Sequence, residues 1–214
     1  MNNRDRIIEA ALQLFNQRGV RNVTVRDICR ELEISPGNFN YHFPGKELII
    51  KSLYERLNEE IDTAISNIPL NQTSVRYFLE THRQIFFIQH KYKFFYLNLF
   101  EILTNFPEIK KTFQQRYQLE KQMARFFMEL YVEKGVLLPN SEANTFDRII
   151  NTGLILNNAW LMDAEINFSA NMQEKLLHYM QLCCGRLEPL LSEAAKEEYF
   201  KYFEDIKRDT AKQD

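Results

Sequence analysis

A chain of 214 residues, 45% hydrophobic and 26% charged, has room for one large or two small domains and the composition of an ordinary globular protein. A net charge of −2 excludes a strongly basic protein, and Cys29 with the adjacent pair Cys183 and Cys184 excludes a disulfide framework; with scattered histidines they offer no zinc site, so no metal or cofactor is expected. No run of 18 apolar residues occurs, and the start MNNRDRIIEA is charged where a signal peptide would be apolar, so the expectation is a cytoplasmic protein with no membrane segment.

The elements in chain order all carry the helical period. Residues 4 to 18 place Ile7, Ile8, Ala11, Leu14 and Phe15 on one face, with Gly19 where a C-cap belongs. Thr24 followed by Asp27 makes an approximate capping box and starts a second helix that runs to about Leu32. After the connection Glu33, Ile34, Ser35, an N-cap serine precedes Pro36, which opens a third helix at the position where a missing N–H costs nothing. Pro44 and Gly45 end it within about seven residues. Two short helices joined by a tight turn are a helix-turn-helix, in which the first braces a second that lies in the DNA major groove.

Lys46 begins a long connector helix, with Pro69 expected to stop it. A fifth helix carries Val75, Phe78, Leu79, His82, Ile85, Phe86 and Gln89 on one face. A sixth, Phe94 to Asn105, is apolar on nearly all sides and is expected to be enclosed by its neighbours. Pro107 opens a seventh that ends at Gly135. Ser141 is the expected cap of an eighth, which contains Gly153, Asn157 and Trp160, and a ninth begins near Ser169. Pro189 interrupts the chain before a last amphipathic helix. Gly153 inside a good helix suggests a close crossing, perhaps with a second copy of the chain, and two long apolar-striped helices near the C-terminus would suit a four-helix dimer interface.

The chemistry concentrates in the opening third. Phe39 and Phe43, four apart, should face the core, leaving Gly37, Asn38, Asn40 and Tyr41 toward the groove. Asparagine can bond adenine in a bidentate manner, and Arg26 in the first turn of the second helix is placed for a guanine or a phosphate. Thr24 and Ser35 stand at helix N-termini, where free N–H groups attract phosphate, and Tyr41, His42 and Lys46 can add side-chain donors. Residues 77 to 131 hold 15 of the 28 aromatic residues. Most of such a set fills a core, but Phe86, Phe100, Phe127 and Trp160 are candidates for the wall of a ligand cavity. No serine–histidine–aspartate arrangement, glycine-rich phosphate loop or paired-carboxylate signature points to an enzyme.

Thr24, Val25, Arg26, Asp27 and Ile28, then Ser35 to Phe39, then Tyr41 to Leu48, resemble the DNA-binding segment of the tetracycline-repressor (TetR) family of bacterial transcriptional regulators. The resemblance covers about residues 4 to 50. It implies an all-α homodimer of about nine or ten helices per chain: residues 1–50 a three-helix DNA-binding domain, 51–214 a helical bundle that binds a partly apolar effector and dimerises. By the same resemblance Arg26, Pro36, Gly37, Asn38, Asn40 and His42 contact bases of a double-stranded operator, and Thr24, Tyr41 and Lys46 contact phosphates. The expected function is a repressor released from a palindromic operator by a small molecule; the alternative is a regulator whose C-terminal domain binds a protein partner instead. Asn40 stands where the family commonly has tyrosine, and Glu33 where glycine is common in the turn. A left-handed Glu33 would cost roughly 1 to 2 kcal/mol.

Overall fold

The computed structural model describes residues 2–68, 74–139 and 144–210. Among these the chain forms eleven α-helices: α1 (Asn3–Arg18), α2 (Val25–Leu32), α3 (Pro36–His42), α4 (Lys46–Ser66), α5 (Val75–Lys91), α6 (Lys93–Leu97), α7 (Leu99–Asn105), α8 (Pro107–Glu133), α9 (Thr145–Asn167), α10 (Met172–Gly185) and α11 (Glu193–Thr210), with a 3₁₀ turn at Glu188–Leu190. The all-α expectation holds. Pro69 and Ser141, expected to stop one helix and cap another, lie outside the described residues.

The chain folds as two compact units, residues 1–63 with 88–113, and residues 64–87 with 114–214. The first unit therefore takes in more than residues 1–50. Asn16 of α1 explains part of this: its Nδ2 donates to the Lys91 carbonyl (2.8 Å) and its Oδ1 accepts from the Phe94 N–H (2.9 Å). Phe15 meets Phe94 at 5.4 Å, and Tyr54 of α4 stacks on Phe95 at 4.5 Å. Aromatic pairs at these separations stabilise by about 0.5–1.5 kcal/mol beyond the area they bury.

The segment expected as one enclosed helix from Phe94 to Asn105 is two helices that break at Asn98 (φ −116°). Asn98 donates its side-chain Nδ2 to the Phe94 carbonyl (2.7 Å), a local bond that competes with helix continuation. The break brings the total to eleven helices and changes what is covered. Phe94, Phe95, Tyr96 and Ile102 are buried, but Phe100 is 85% exposed.

In the second unit, Glu198 of α11 accepts from the Val75 N–H at the start of α5 (3.1 Å), and Tyr202 donates to Glu80 (2.8 Å). Leu137 and Leu191 pair as an isolated antiparallel bridge. α9 and α10 pack together, with Trp160 stacked on Phe86 (4.7 Å) and tilted against Tyr179 (5.7 Å). Gly153, buried in α9, faces the same chain: a Cβ there would lie 2.1 Å from Nη2 of Arg186. The glycine makes room for a guanidinium of its own chain.

Candidate nucleic-acid interface

Three local devices shape the reading head. The first is the cap of α2. Asp27 donates its N–H to Thr24 Oγ1 (3.3 Å) and accepts the Thr24 N–H (2.8 Å) and hydroxyl, a reciprocal capping box. These bonds, chiefly the one from the Thr24 hydroxyl, hold the Asp27 carboxyl below its ordinary range. The second is the turn, where Glu33 sits at φ 54°, ψ 40° and donates its N–H back to α2. That left-handed backbone is the one the glycine-for-glutamate comparison anticipated, with its cost of roughly 1 to 2 kcal/mol. The third is α3, capped by Ser35 Oγ, which accepts the Asn38 N–H (3.1 Å).

Behind the turn lies the packing that fixes α3. Phe39 and Phe43 are buried, their rings 6.4 Å apart, and Arg4 lies over the Phe43 ring at 5.1 Å. Val20, Val23, Ile28 and Ile49 are buried with them. Burying both phenylalanines leaves Pro36, Gly37, Asn38, Asn40 and Tyr41 exposed on α3, together with Thr24 and Arg26 at the start of α2. Tyr41 is 85% exposed, far more than a tyrosine held for packing. A Cβ on Gly37 would meet nothing closer than Ser35 Oγ at 3.8 Å. No described neighbour requires glycine there, and its bare backbone leaves the outer face of α3 open at that point.

Two of the predicted contacts have other duties. Lys46 is half-buried, and its Nζ donates to the carbonyls of Val20 (2.8 Å) and Val23 (3.1 Å). Burial lowers its pKa, opposed by the Glu101 carboxylate. It ties the start of α4 to the α1–α2 connection, and one of its three donor hydrogens remains for a phosphate. Thr24 spends both its N–H and its hydroxyl on Asp27, which leaves the N–H groups of Val25 and Arg26 as the donors at that helix end without an intrahelical acceptor. His42 is half-buried and meets the Tyr41 ring edge-on at 5.0 Å.

The four aromatic residues named for a ligand wall do not lie together. Phe86 and Trp160 stack inside the second unit, and Phe127 of α8 is half-buried there against Phe126 (5.6 Å). Phe100 is on the surface of α7 in the first unit, so it lines no interior; the bend at Asn98 turns it outward. Sequence reasoning places His82 on one face of the fifth helix but passes over two other polar groups of the second unit, Tyr131 and Arg186. The signal available for them was Gly153, a vacancy in a helix that some bulky neighbour had to fill. Among the described residues no cluster of three or more histidine, cysteine or acidic side chains could hold a metal, and all three cysteines are free and buried. No helix among the described residues is long and apolar enough to cross a membrane.

A short helix pinned by its own buried phenylalanines, with asparagines, glycine and tyrosine turned outward beside a capped bracing helix, defines a helix-turn-helix DNA-binding regulator. A family model described as bacterial regulatory proteins of the tetR family matches residues 7–53, and one described as bacterial transcriptional repressor matches residues 56–199. The chain belongs to the TetR family of transcriptional regulators. It is 26% identical over 136 residues to a probable HTH-type transcriptional regulator, YttP, of Bacillus subtilis, spanning 62% of this chain and 64% of that protein. It is 39% identical over 70 residues to YuxN of the same organism, an uncharacterized HTH-type regulator, spanning 33% of this chain and only 24% of that one. IcaR of Staphylococcus aureus, the negative transcriptional regulator of the biofilm operon icaADBC, is 30% identical over 138 residues, 59% of this chain and 70% of its own. In fold, a TetR-family regulator from Marinobacter aquaeolei superposes with a TM-score of 0.84 at 22% identity, over 96% of this chain and 99% of that one. A putative regulator from Saccharomonospora viridis, solved in complex with choline, superposes at 0.69 with 20% identity, over 89% and 98%.

Proposed function

We propose that the protein is a homodimeric repressor that binds a palindromic operator in the cytoplasm and is released from it by a small organic molecule. The observation that carries the DNA-reading half is the division of α3: Phe39 and Phe43 inward, Gly37, Asn38, Asn40 and Tyr41 outward. Arg26, Asn38 and Asn40 read base edges, while Tyr41, the free donor of Lys46 and the N–H groups at the start of α2 hold phosphates.

For the dimer, Ile155, Met162 and Ile166 form an exposed apolar stripe on α9, joined by Leu182 on α10 at 50% exposure. Large exposed apolar side chains at helical spacing on two adjacent helices suit a two-fold four-helix contact. For the effector, support comes from the second unit, which holds the stacked pair Phe86 and Trp160 and also polar atoms without a hydrogen-bond partner among the described residues, Tyr131 Oη and Arg186 Nη1. A domain whose C-terminal half served only a protein partner would more naturally have a dry, fully satisfied core. The choline bound by the Saccharomonospora regulator supports a small-molecule site in this fold.

Two heads related by two-fold symmetry read half-sites about 34 Å apart or a multiple of that. An effector releases the dimer only if it prefers the arrangement that misfits this spacing, and a preference of about 3 kcal/mol weakens operator binding roughly 150-fold. The test is selection of bound DNA from a random pool, then a screen of metabolites for release. A symmetric site, and at least one compound that lowers affinity tenfold or more, are the expected results; binding unchanged across the screen, with a protein partner retained instead, would sink the effector half.

A further inference from the structure

We propose that the effector is an organic monocarboxylate whose acid group pairs with Arg186 beside His82, its apolar body lying among aromatic side chains of the second unit. This rests on the effector-responsive reading above and names the chemical class that reading left open.

The geometry begins at the end of α10. Arg186 follows the last residue of that helix and turns its guanidinium onto α9, where Nε donates to the Ile149 carbonyl (3.1 Å) and Nη2 occupies the space left by Gly153. Its Nη1 is closed to solvent and has no hydrogen-bond partner among the described residues. No carboxylate among the described residues pairs with this cation; the only acidic neighbours that act on it are the thiols of Cys183 and Cys184. Burial pushes those thiols up, Cys183 to about 11 and Cys184 to about 12, so neither supplies an anion near neutral pH. A desolvated guanidinium with an unused donor is costly, and such groups are normally paired.

Around His82 the surroundings are aromatic. The Tyr131 hydroxyl has no hydrogen-bond partner among the described residues, and burial and the Glu198 carboxylate push its pKa up to about 12. The Phe78 ring packs edge-on against Tyr131 (6.2 Å) and tilted on His82 (4.0 Å). His82 takes the Phe78 carbonyl as partner for Nδ1 (2.9 Å). It stays uncharged at neutral pH, because burial and then the Arg186 charge push its pKa down to about 4. The orphan donor of a cation, Arg186 Nη1, calls for an acceptor that carries negative charge. A single guanidinium balances a single charge, which favours a carboxylate over a doubly charged phosphate. Because Nη1 is enclosed, the acid can reach it only by parting the packing of α9 and α10 around it, and that displacement is what an effector must drive.

The test uses the full-length protein with paired probes: hexanoate, decanoate and phenylacetate, each against its primary amide, and choline as a cation of opposite charge. At least one acid should raise the melting temperature and bind tenfold or more tightly than its amide, while choline has no effect. Arg186→Met should abolish that preference and, having lost an unpaired buried charge, melt no lower than wild type. Gly153→Ala, which forces the guanidinium out of its place, should weaken the acid while keeping the charge. Bound acid should also move the His82 ring titration, followed by NMR, upward from about 4, since the carboxylate offsets the Arg186 charge. Equal response to acid and amide overturns the carboxylate assignment, and if such an amide also releases operator DNA the effector-responsive reading stands without it. No acid binding, together with a lower melting point for Arg186→Met, marks the guanidinium as a structural tie and overturns the proposal.

Discussion

The reading head and the interior of the second unit treat polar groups in opposite ways. In the head the polar groups that shape the backbone find partners: Thr24 with Asp27, Ser35 with the Asn38 N–H, Lys46 with two carbonyls. Its functional side chains stand in solvent, and its core is plainly apolar. The second unit buries donors that nothing among the described residues satisfies, at Arg186 and Tyr131. The first pattern suits a rigid module that presents a fixed surface, the second a body whose packing changes when something supplies the missing partner.

The contrast is broken most directly at Phe39. It is fully buried, and Phe39→Ala should cost about 3–5 kcal/mol, enough to lose α3 and DNA binding together; denaturant unfolding of wild type and variant would measure it. A variant that binds DNA normally would show that α3 is not fixed from behind.

The next largest effect belongs to the interior. The folded-state pKa of His82, about 4, lies below its ordinary 6.5. Between those values the unfolded chain takes up a proton that the folded chain refuses. Stability is therefore whole above pH 6.5 and is lost as pH falls toward 4, by about 2 kcal/mol on reaching pH 5. Unfolding free energies of wild type and His82→Gln, compared from pH 7 to 5, should show that loss in the wild type only. Parallel curves would mean that His82 is not held neutral by its surroundings.

Base reading comes third. Asn38→Ala should cost about 1–3 kcal/mol, mainly at one base pair, whereas Tyr41→Ala should weaken all sequences alike. Affinities for single-base variants of the selected site separate the two patterns. The smallest effect sharpens the picture of the turn: Glu33→Gly relieves a left-handed backbone (φ 54°) and should raise stability by about 1 kcal/mol, by thermal melting. A loss instead would mean that the Glu33 side chain contributes more than its backbone strain costs.

How much of this could be read from residues follows from whether the determinants are local. Caps, proline stops and the four-residue spacing of Phe39 and Phe43 act within a few positions, so the head and its outward face were legible, including the strain at Glu33. The second duty of Lys46 left no mark in the sequence, because its carbonyl partners lie 26 and 23 residues away. Phe100 was placed inside because an apolar run carries no sign of where Asn98 will bend it. Arg186 left only an indirect mark, the glycine at 153 that faces it. In the bundle, period identifies helices, but which polar group ends up beside which is settled by packing between distant segments.

The central claim is that the outward face of α3 reads DNA while its inward face merely holds it. The most direct measurement is the affinity of full-length protein for a selected operator, compared between wild type and the double variant Asn38→Ala, Tyr41→Ala, with unfolding free energy measured on both. The account predicts unchanged stability and an affinity lower by at least about 2 kcal/mol, or some thirtyfold. Wild-type affinity in a stably folded double variant would contradict it.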